Sequence, residues 1–357
     1  MKKKFMATLA LSTAALLAIA GCGSKENNSG KGAAAPSATP AASSSAASEP
    51  AANVSYKIAI SQIVEHPSLD ATRQGFLAAL KDAGIEEGKN LKVDLNIAQG
   101  DPGNNQSIAQ KIAAGKNDLV LGIATPSAVS LAQNVKNAPV LFAAVTDPLG
   151  DKIVANLDKP GGNISGASDT NPVQIQKLMD FIAANFPNVK TVGVVINEGE
   201  SNAVTMTKIA QEALAAHNIK LIKAAAANSS EVKQAAESLV GRADAIYITL
   251  DNTVVEAVES IIQVANKNKI PFFSADRDTV EKGAFATVGF KYYDHGYQVG
   301  QMAVEVLKNG AKIGDLPVTV PDKLDFILNL KAAEAQGITV TDAMKAAVQD
   351  QANDIIQ

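Results

Sequence analysis

The 357-residue chain has no tryptophan, a single cysteine, three histidines and only 4% aromatic residues. One cysteine excludes an internal disulfide framework. It also leaves no Cys/His cluster for a structural metal site. The absence of tryptophan argues against the ring stacking on which sugar binding commonly rests, and any aromatic side chain in a cleft stands out. A formal net charge of −4 is mild and argues against a nucleic-acid partner. There is no Gly-x-Ser-x-Gly elbow and no phosphate-binding Walker loop, and the paired acids lack an evident reaction partner, so the chain does not read as an enzyme. Nothing after the first twenty residues is long and apolar enough to span a bilayer.

What is present begins at the first residues. Met1-Lys2-Lys3-Lys4 is followed by an apolar run from Phe5 to Ala20 and then Gly21-Cys22-Gly23. A basic start, a short apolar core and small residues describe an export signal, here 1–21. The residues before Cys22 resemble a bacterial lipobox, which implies cleavage there and diacylation of the Cys22 thiol. Two acyl chains hold a protein firmly to a membrane surface, which one alone does not. Residues 22–54 are rich in Ser, Ala, Gly, Pro and Asn and cannot form an apolar face, so they read as a flexible spacer.

From Tyr56 onward β-rich runs alternate with amphipathic helices. The first series of strands is Tyr56–Ser61, Leu91–Ile97, Asp118–Ala124 and Pro139–Val145, with helices from Ser68, around Ile108 and after Pro126. A glycine-rich crossing, Lys159 to Gly166, interrupts the rhythm. It restarts with strands Thr191–Ile196, Ile219–Ala225, Ala245–Thr249, Ile270–Ser274 and Ala284–Val288, and helices Ser201–His217, Glu231–Val240, Val254–Lys267 and Tyr293–Lys308. Alternating βα units predict parallel sheets covered by helices on both faces. Two such series predict an α/β chain of two doubly wound, Rossmann-like lobes. Ligands on such sheets sit at the carboxyl ends of the strands, and two lobes place those ends across a cleft that closes by hinge motion.

The strand exits carry polar residues: Gln62 near Glu65 and His66; Thr125 and Ser127; Thr146 and Asp147; Asn197 to Asn202; Asp251, Asn252 and Thr253; Asp276 and Asp278. The turn at Thr125–Ala128 opens a helix whose free N–H groups suit a carboxylate. Asp147, Asp251 and Asp276 offer acceptors for an ammonium group. Together they fit an α-amino-acid zwitterion. Each also has a plainer account: Thr125, Ser127 and Asp251 as helix caps, Asp147 as a turn acid before Pro148, Glu198 and Glu200 as a solvated loop, His66 as a turn residue before Pro67. Phe142 and Phe273 sit inside apolar strand runs and read as core, while His66 and Phe290 remain candidates for an aromatic wall.

The stretches Ile60–Pro67, Ala98–Pro102, Ile123–Ala128, Ala144–Pro148, Lys159–Gly166, Tyr247–Thr253, Ala275-Asp276 and Leu328–Ala333 occur in an order that resembles the tryptophan/aromatic amino-acid type of ABC-transporter substrate-binding lipoproteins, from Tyr56 to about Val340. The resemblance implies a type I periplasmic-binding-protein fold with a three-crossing hinge. Lobe 1 would comprise 55–166 with 291–321, and lobe 2 would comprise 167–290 with 322–357. It implies ligand contacts at Gln62, Thr125, Ser127, Asp147, Asn197, Asn202, Asp251, Asn252 and Asp276, with no cofactor. Arg277 departs from the pattern and is expected to neutralise Asp276. The implied protein is a monomer, tethered outside the cytoplasm through Cys22, that delivers an amino acid (Trp, Phe or Tyr first) to a membrane permease. Aliphatic amino acids or nucleosides on the same scaffold, and a sensing receptor without transport, remain alternatives.

Overall fold

The computed structural model describes residues 55–321 and 323–357; the leader, the spacer and Cys22 lie outside them. The first sheet is built from β1 (Tyr56–Gln62), β2 (Leu91–Ile97), β3 (Leu119–Ile123), β4 (Val140–Val145) and β5 (Ile164–Ser168), ordered β2-β1-β3-β4-β5 and parallel throughout. Strands β3 and β4 are continuous runs of Leu, Ile, Val, Phe and Ala with the single Gly122, buried at every residue, as a sheet covered on both faces requires. Helices α1 (Pro67–Asp82), α2 (Pro102–Ala114) and α3 (Thr125–Asn134) connect them, each with proline in its first turn, where the missing N–H costs nothing.

β5 corrects the expected crossing. Ile164–Ser168 is not a break but a fully buried fifth strand paired with β4. Gly166 is needed there: a Cβ would stand 2.1 Å from the Phe142 carbonyl oxygen.

The second sheet follows α4 (Pro172–Asn185) and has the order β12-β11-β10-β9-β8-β6-β7. Its strands are β6 (Thr191–Ile196), β7 (Lys220–Ala225), β8 (Ala245–Ile248), β9 (Phe272–Ser274), β10 (Ala286–Gly289), β11 (Asp325–Asn329) and β12 (Ile355–Ile356). It is not wholly parallel, because β11 runs antiparallel to β10. The helices are α5 (Ser201–Ala216), α6 (Val232–Glu237), α7 (Asn252–Glu256), α8 (Val258–Asn268) and α9 (Arg277–Lys282). The expected single helix over 254–267 is two, broken at Ala257. Phe181, Phe273, Phe285 and Phe326 pack edge-to-face or tilted in this core, and Phe142 is likewise fully buried in the first lobe.

The chain passes between the sheets three times: after β5, after β10 and before β11. Between the second and third passages α10 (Tyr292–Leu307) returns to the first lobe and packs along α1. The two helices run parallel and touch through glycine. A Cβ on Gly296 would lie 1.9 Å from the Thr72 oxygen, and one on Gly75 2.0 Å from the Tyr293 oxygen. Both helices therefore begin at the same end, the carboxyl end of β1, β3 and β4. Among the described residues no helix is long and apolar enough to cross a membrane.

Candidate ligand-binding cleft

The two sheets direct their carboxyl ends at one narrow cavity. His66, Leu69, Ala144, Thr146 and Tyr292 line it from the first lobe, Asp169 from the first crossing, and Asn202, Leu250, Asp251, Asn252, Val255 and Asp276 from the second lobe. The lobes touch across it: the Ser68 hydroxyl at the start of α1 donates to Asp276 Oδ2 at 2.5 Å.

The acids of the second lobe have structural duties that fix their positions. Asp251 caps α7 through Val254 N and accepts from Asn197 N at 2.6 Å. Asp276 caps α9 through Thr279 N. Glu200, expected in a solvated loop, is buried. It accepts from the backbone and side chains of Asn252 and Thr253 and from the Asn202 amide. It thereby ties the start of α5 to the start of α7, and the signal for it was the unusual density of donors in Asn252-Thr253.

At the hinge, Asp169 Oδ1 accepts from the hydroxyls of Thr146 and Thr170 at 3.3 and 3.0 Å. Burial pushes its carboxyl up to about 6. Burial also raises Asp276 and Asp278; the negative charge of Asp276 raises Asp278 further. Asp251 is held well above the usual carboxylate range by burial and then by Glu200. A buried cluster of carboxyl groups with raised pKa values marks an environment that favours a bound cation over four separate charges.

The first lobe is different in kind. His66, Ala124 and Lys291, the residues preceding α1, α3 and α10, make no side-chain cap, so the free N–H groups of three helices have no side-chain partner at their N-termini. Ala124 and Ala144 adopt φ of 75° and 56°, a conformation unfavourable for alanine that gathers at functional sites. Ala144 N donates to His295 Nε2 at 3.0 Å, so this imidazole is a neutral acceptor; burial holds its pKa near 4. Phe290 and Tyr292 pack beside it at tilted angles, with their ring centroids 4.8 Å apart.

Of the nine residues expected at the ligand, Asn202, Asp251, Asn252 and Asp276 line the cavity. The other five do not, each for a local reason. Gln62 is buried and spent on Val64, Asp70 and Arg73. Thr125 accepts from Thr146 N, and Ser127 donates to Asn105. The Asp147 carboxylate accepts from Gly150 N at 2.8 Å, the geometry of a turn acid. Asn197 supports Thr253 and closes its own turn on Gly199. Arg277 does not neutralise Asp276: its buried guanidinium turns away to Asp354 at 3.0 Å, with Glu281 and Asp325 beyond. His66, a candidate for the cleft wall, does line the cavity, and so do Asp169 and Tyr292, which were not among the expected residues. Asp169 directly follows β5, so the strand-exit rule finds it once that strand is recognised.

Residues 57–351 match the family model described as ABC transporter substrate binding protein. A protein named tyrosine-binding protein, from Clostridioides difficile strain R20291, is 40% identical over 79% of this chain and 82% of its own length. Among solved structures, a conserved domain protein from Vibrio cholerae is 42% identical with a TM-score of 0.80, covering 85% of this chain and all of that one. An ABC domain from Streptococcus pneumonia in complex with L-Trp is 32% identical with a TM-score of 0.78, at the same coverage. The ligand-free, open structure of a substrate-binding protein with adhesive properties from Clostridium difficile is 37% identical, covering 84% and 98%, yet its TM-score is 0.61. The better superposition on the L-Trp complex, despite lower identity, agrees with the Ser68–Asp276 contact: the lobes here stand closed. Its sequence, its two-lobed fold and its cleft place this chain in the family of ABC transporter substrate-binding proteins, which are binding proteins and not enzymes.

Proposed function

We propose that the chain captures an aromatic amino acid, tryptophan, tyrosine or phenylalanine, between its lobes and delivers it to the permease of an ABC importer. The observation that carries this reading is the opposition of the two lobes. One presents the uncapped N-termini of α10, whose first residue Tyr292 lines the cavity, and of α3 beside Thr146, which favour a carboxylate; the other presents buried acids, which favour an ammonium group. A zwitterion satisfies both at once and leaves neither set unpaired on closure. The aromatic side chain is supported by Tyr292, which lines the cavity with Phe290 packed against it, and by relatives named for tyrosine or solved with L-Trp.

Thermal unfolding of the full-length protein in detergent, against amino acids, nucleosides and sugars, tests the reading. Binding to the folded state alone adds about 2.7 kcal/mol at a hundredfold excess over Kd. A shift with aromatic amino acids is expected. A shift confined to aliphatic amino acids would change the substrate, one confined to nucleosides or sugars would remove the zwitterion argument, and none at all would favour a sensing receptor.

The same reading makes the protein a monomeric lipoprotein, with residues 1–21 removed, Cys22 acylated and 22–54 a tether. The lobes would divide as 55–168 with 291–321 and 169–290 with 322–357, the first boundary falling at the end of β5 and not at the expected 166. Incorporation of labelled fatty acid, and its loss in Cys22→Ala, tests the anchor.

A further inference from the structure

His66 occupies an unusual position. It is held by the end of β1 on one side and Pro67 on the other, and proline restricts the residue before it to extended backbone. His66 has φ −155° and ψ 161°, and its carbonyl accepts from Asp70 N, so its side chain has one direction, into the cavity. The residue is only 7% exposed, and neither ring nitrogen has a hydrogen-bond partner among the described residues. Asn252 lies near the ring on the facing lobe, and one N–H of its amide donates to Glu200 at 2.5 Å. Burial holds the imidazole near pKa 4 and therefore neutral, with one N–H donor and one acceptor.

A second unpaired group lines the same cavity. Asn202 Nδ2 donates to the Leu250 carbonyl at 2.7 Å and to Glu200 at 3.0 Å, which fixes the amide and leaves the buried Oδ1 without a donor. The remaining walls at this end are apolar: Leu69, Leu250 and Val255. A ligand carboxylate is disfavoured here by the charges of Asp70, Glu200 and Asp278 near the ring. The ammonium group has full carboxylates to turn to at Asp169 and Asp276.

We infer that His66, faced by Asn202, reads a hydrogen-bonding group carried on the ligand's ring, so that the cleft selects phenol- or indole-bearing amino acids over phenylalanine. The inference rests on the aromatic reading and sharpens it. A phenol supplies a donor and an acceptor, and an indole supplies a donor; a phenyl ring buries His66 and Asn202 unpaired. Sites built to pair a substrate hydroxyl or N–H reject the analogue that lacks it far more strongly than sites that merely exclude bulk.

Calorimetric titration of the full-length protein in detergent with tyrosine, tryptophan and phenylalanine tests this, on wild type, His66→Phe and His66→Gln. The wild type is expected to prefer tyrosine or tryptophan over phenylalanine by about tenfold or more. His66→Phe should bring the ratio within about threefold by weakening the polar-ring ligand while phenylalanine still binds. His66→Gln, which keeps a donor and an acceptor, should retain part of the preference. Equal binding of all three by the wild type, or a preference that survives in His66→Phe, overturns the inference and leaves the aromatic reading intact. If none of the three binds, both fall, and a titration with aliphatic amino acids identifies that case.

Discussion

The Ser68 hydroxyl donates to Asp276 Oδ2 across the cleft at 2.5 Å, joining residues 208 positions apart in the chain and lying on opposite lobes. Asp276 uses its other oxygen to cap α9, so one buried carboxylate both starts a helix and latches the lobes. Ser68→Ala removes the latch without touching the cap. Its loss is worth about 1–2 kcal/mol of closure, because the acceptor is charged when ionised. We expect ligand affinity to fall about tenfold, and small-angle scattering to show a larger radius of gyration without ligand. Melting temperature should change little.

Asp169 gives the cleft a pH dependence of known sign. Its folded pKa, about 6, lies above the ordinary 3.8, so the closed fold favours the protonated form. Its contribution to stability is full below about 3.8 and is lost as pH rises through 6. Asp169→Asn keeps an oxygen for Thr146 and Thr170. It should match wild type in stability near pH 4 and exceed it by up to about 3 kcal/mol at pH 8, read by urea unfolding at the two pH values. The same variant should bind ligand more weakly at pH 7, since it no longer answers the ammonium charge. A variant no more stable at pH 8 than wild type would show that the carboxyl is not strained by burial.

Arg277 and Asp354 form a buried pair that pins the C-terminal strand to α9. Removing one partner of such a pair strands the other, at a cost of about 3 kcal/mol. Asp354→Ala should therefore lower the melting temperature by several degrees, moderated by Glu281 and Asp325 nearby. Because the guanidinium faces away from Asp276, ligand affinity measured well below the melting point should stay within about twofold.

Gly296 has no room for a side chain against α1. Gly296→Ala must push the two helices apart, an overpacking change that costs about 1–3 kcal/mol. Chemical denaturation should register that loss, and affinity should fall with it, since both helices begin at the cleft.

Much of this was legible in the sequence. The βα rhythm located most strands to within a residue or two, because runs such as Leu119–Ile123 and Val140–Val145 are continuous and apolar. β5 was not legible: Ile-Ser-Gly-Ala-Ser has small residues, no alternation and a glycine demanded by a neighbour's backbone, none of which looks like a strand in isolation. α4 and Asp169 were lost with it. The cavity between the sheets lies at the strand exits, but which polar residues line it depends on which ones the turns consume. Asp147 and Gln62 satisfy local backbone and side-chain partners, whereas His66 beside them in sequence or function finds none. That competition is decided by distances of a few tenths of an ångström and leaves no trace in residue spacing. Glu200 shows the reverse case, a charge that reads in sequence as a solvated loop but is drawn inside by four donors from one short segment.

The parallel, glycine-tight contact of α1 and α10 has a consequence for recognition. The helices carry His66 and Tyr292 at adjoining ends, so these two cleft side chains cannot move independently. Half of the ligand's surroundings is assembled when the first lobe folds, before any ligand arrives. The ordering entropy for that half is met once per chain and not again at each capture, and the only large motion left to each cycle of uptake is the approach of the opposite jaw.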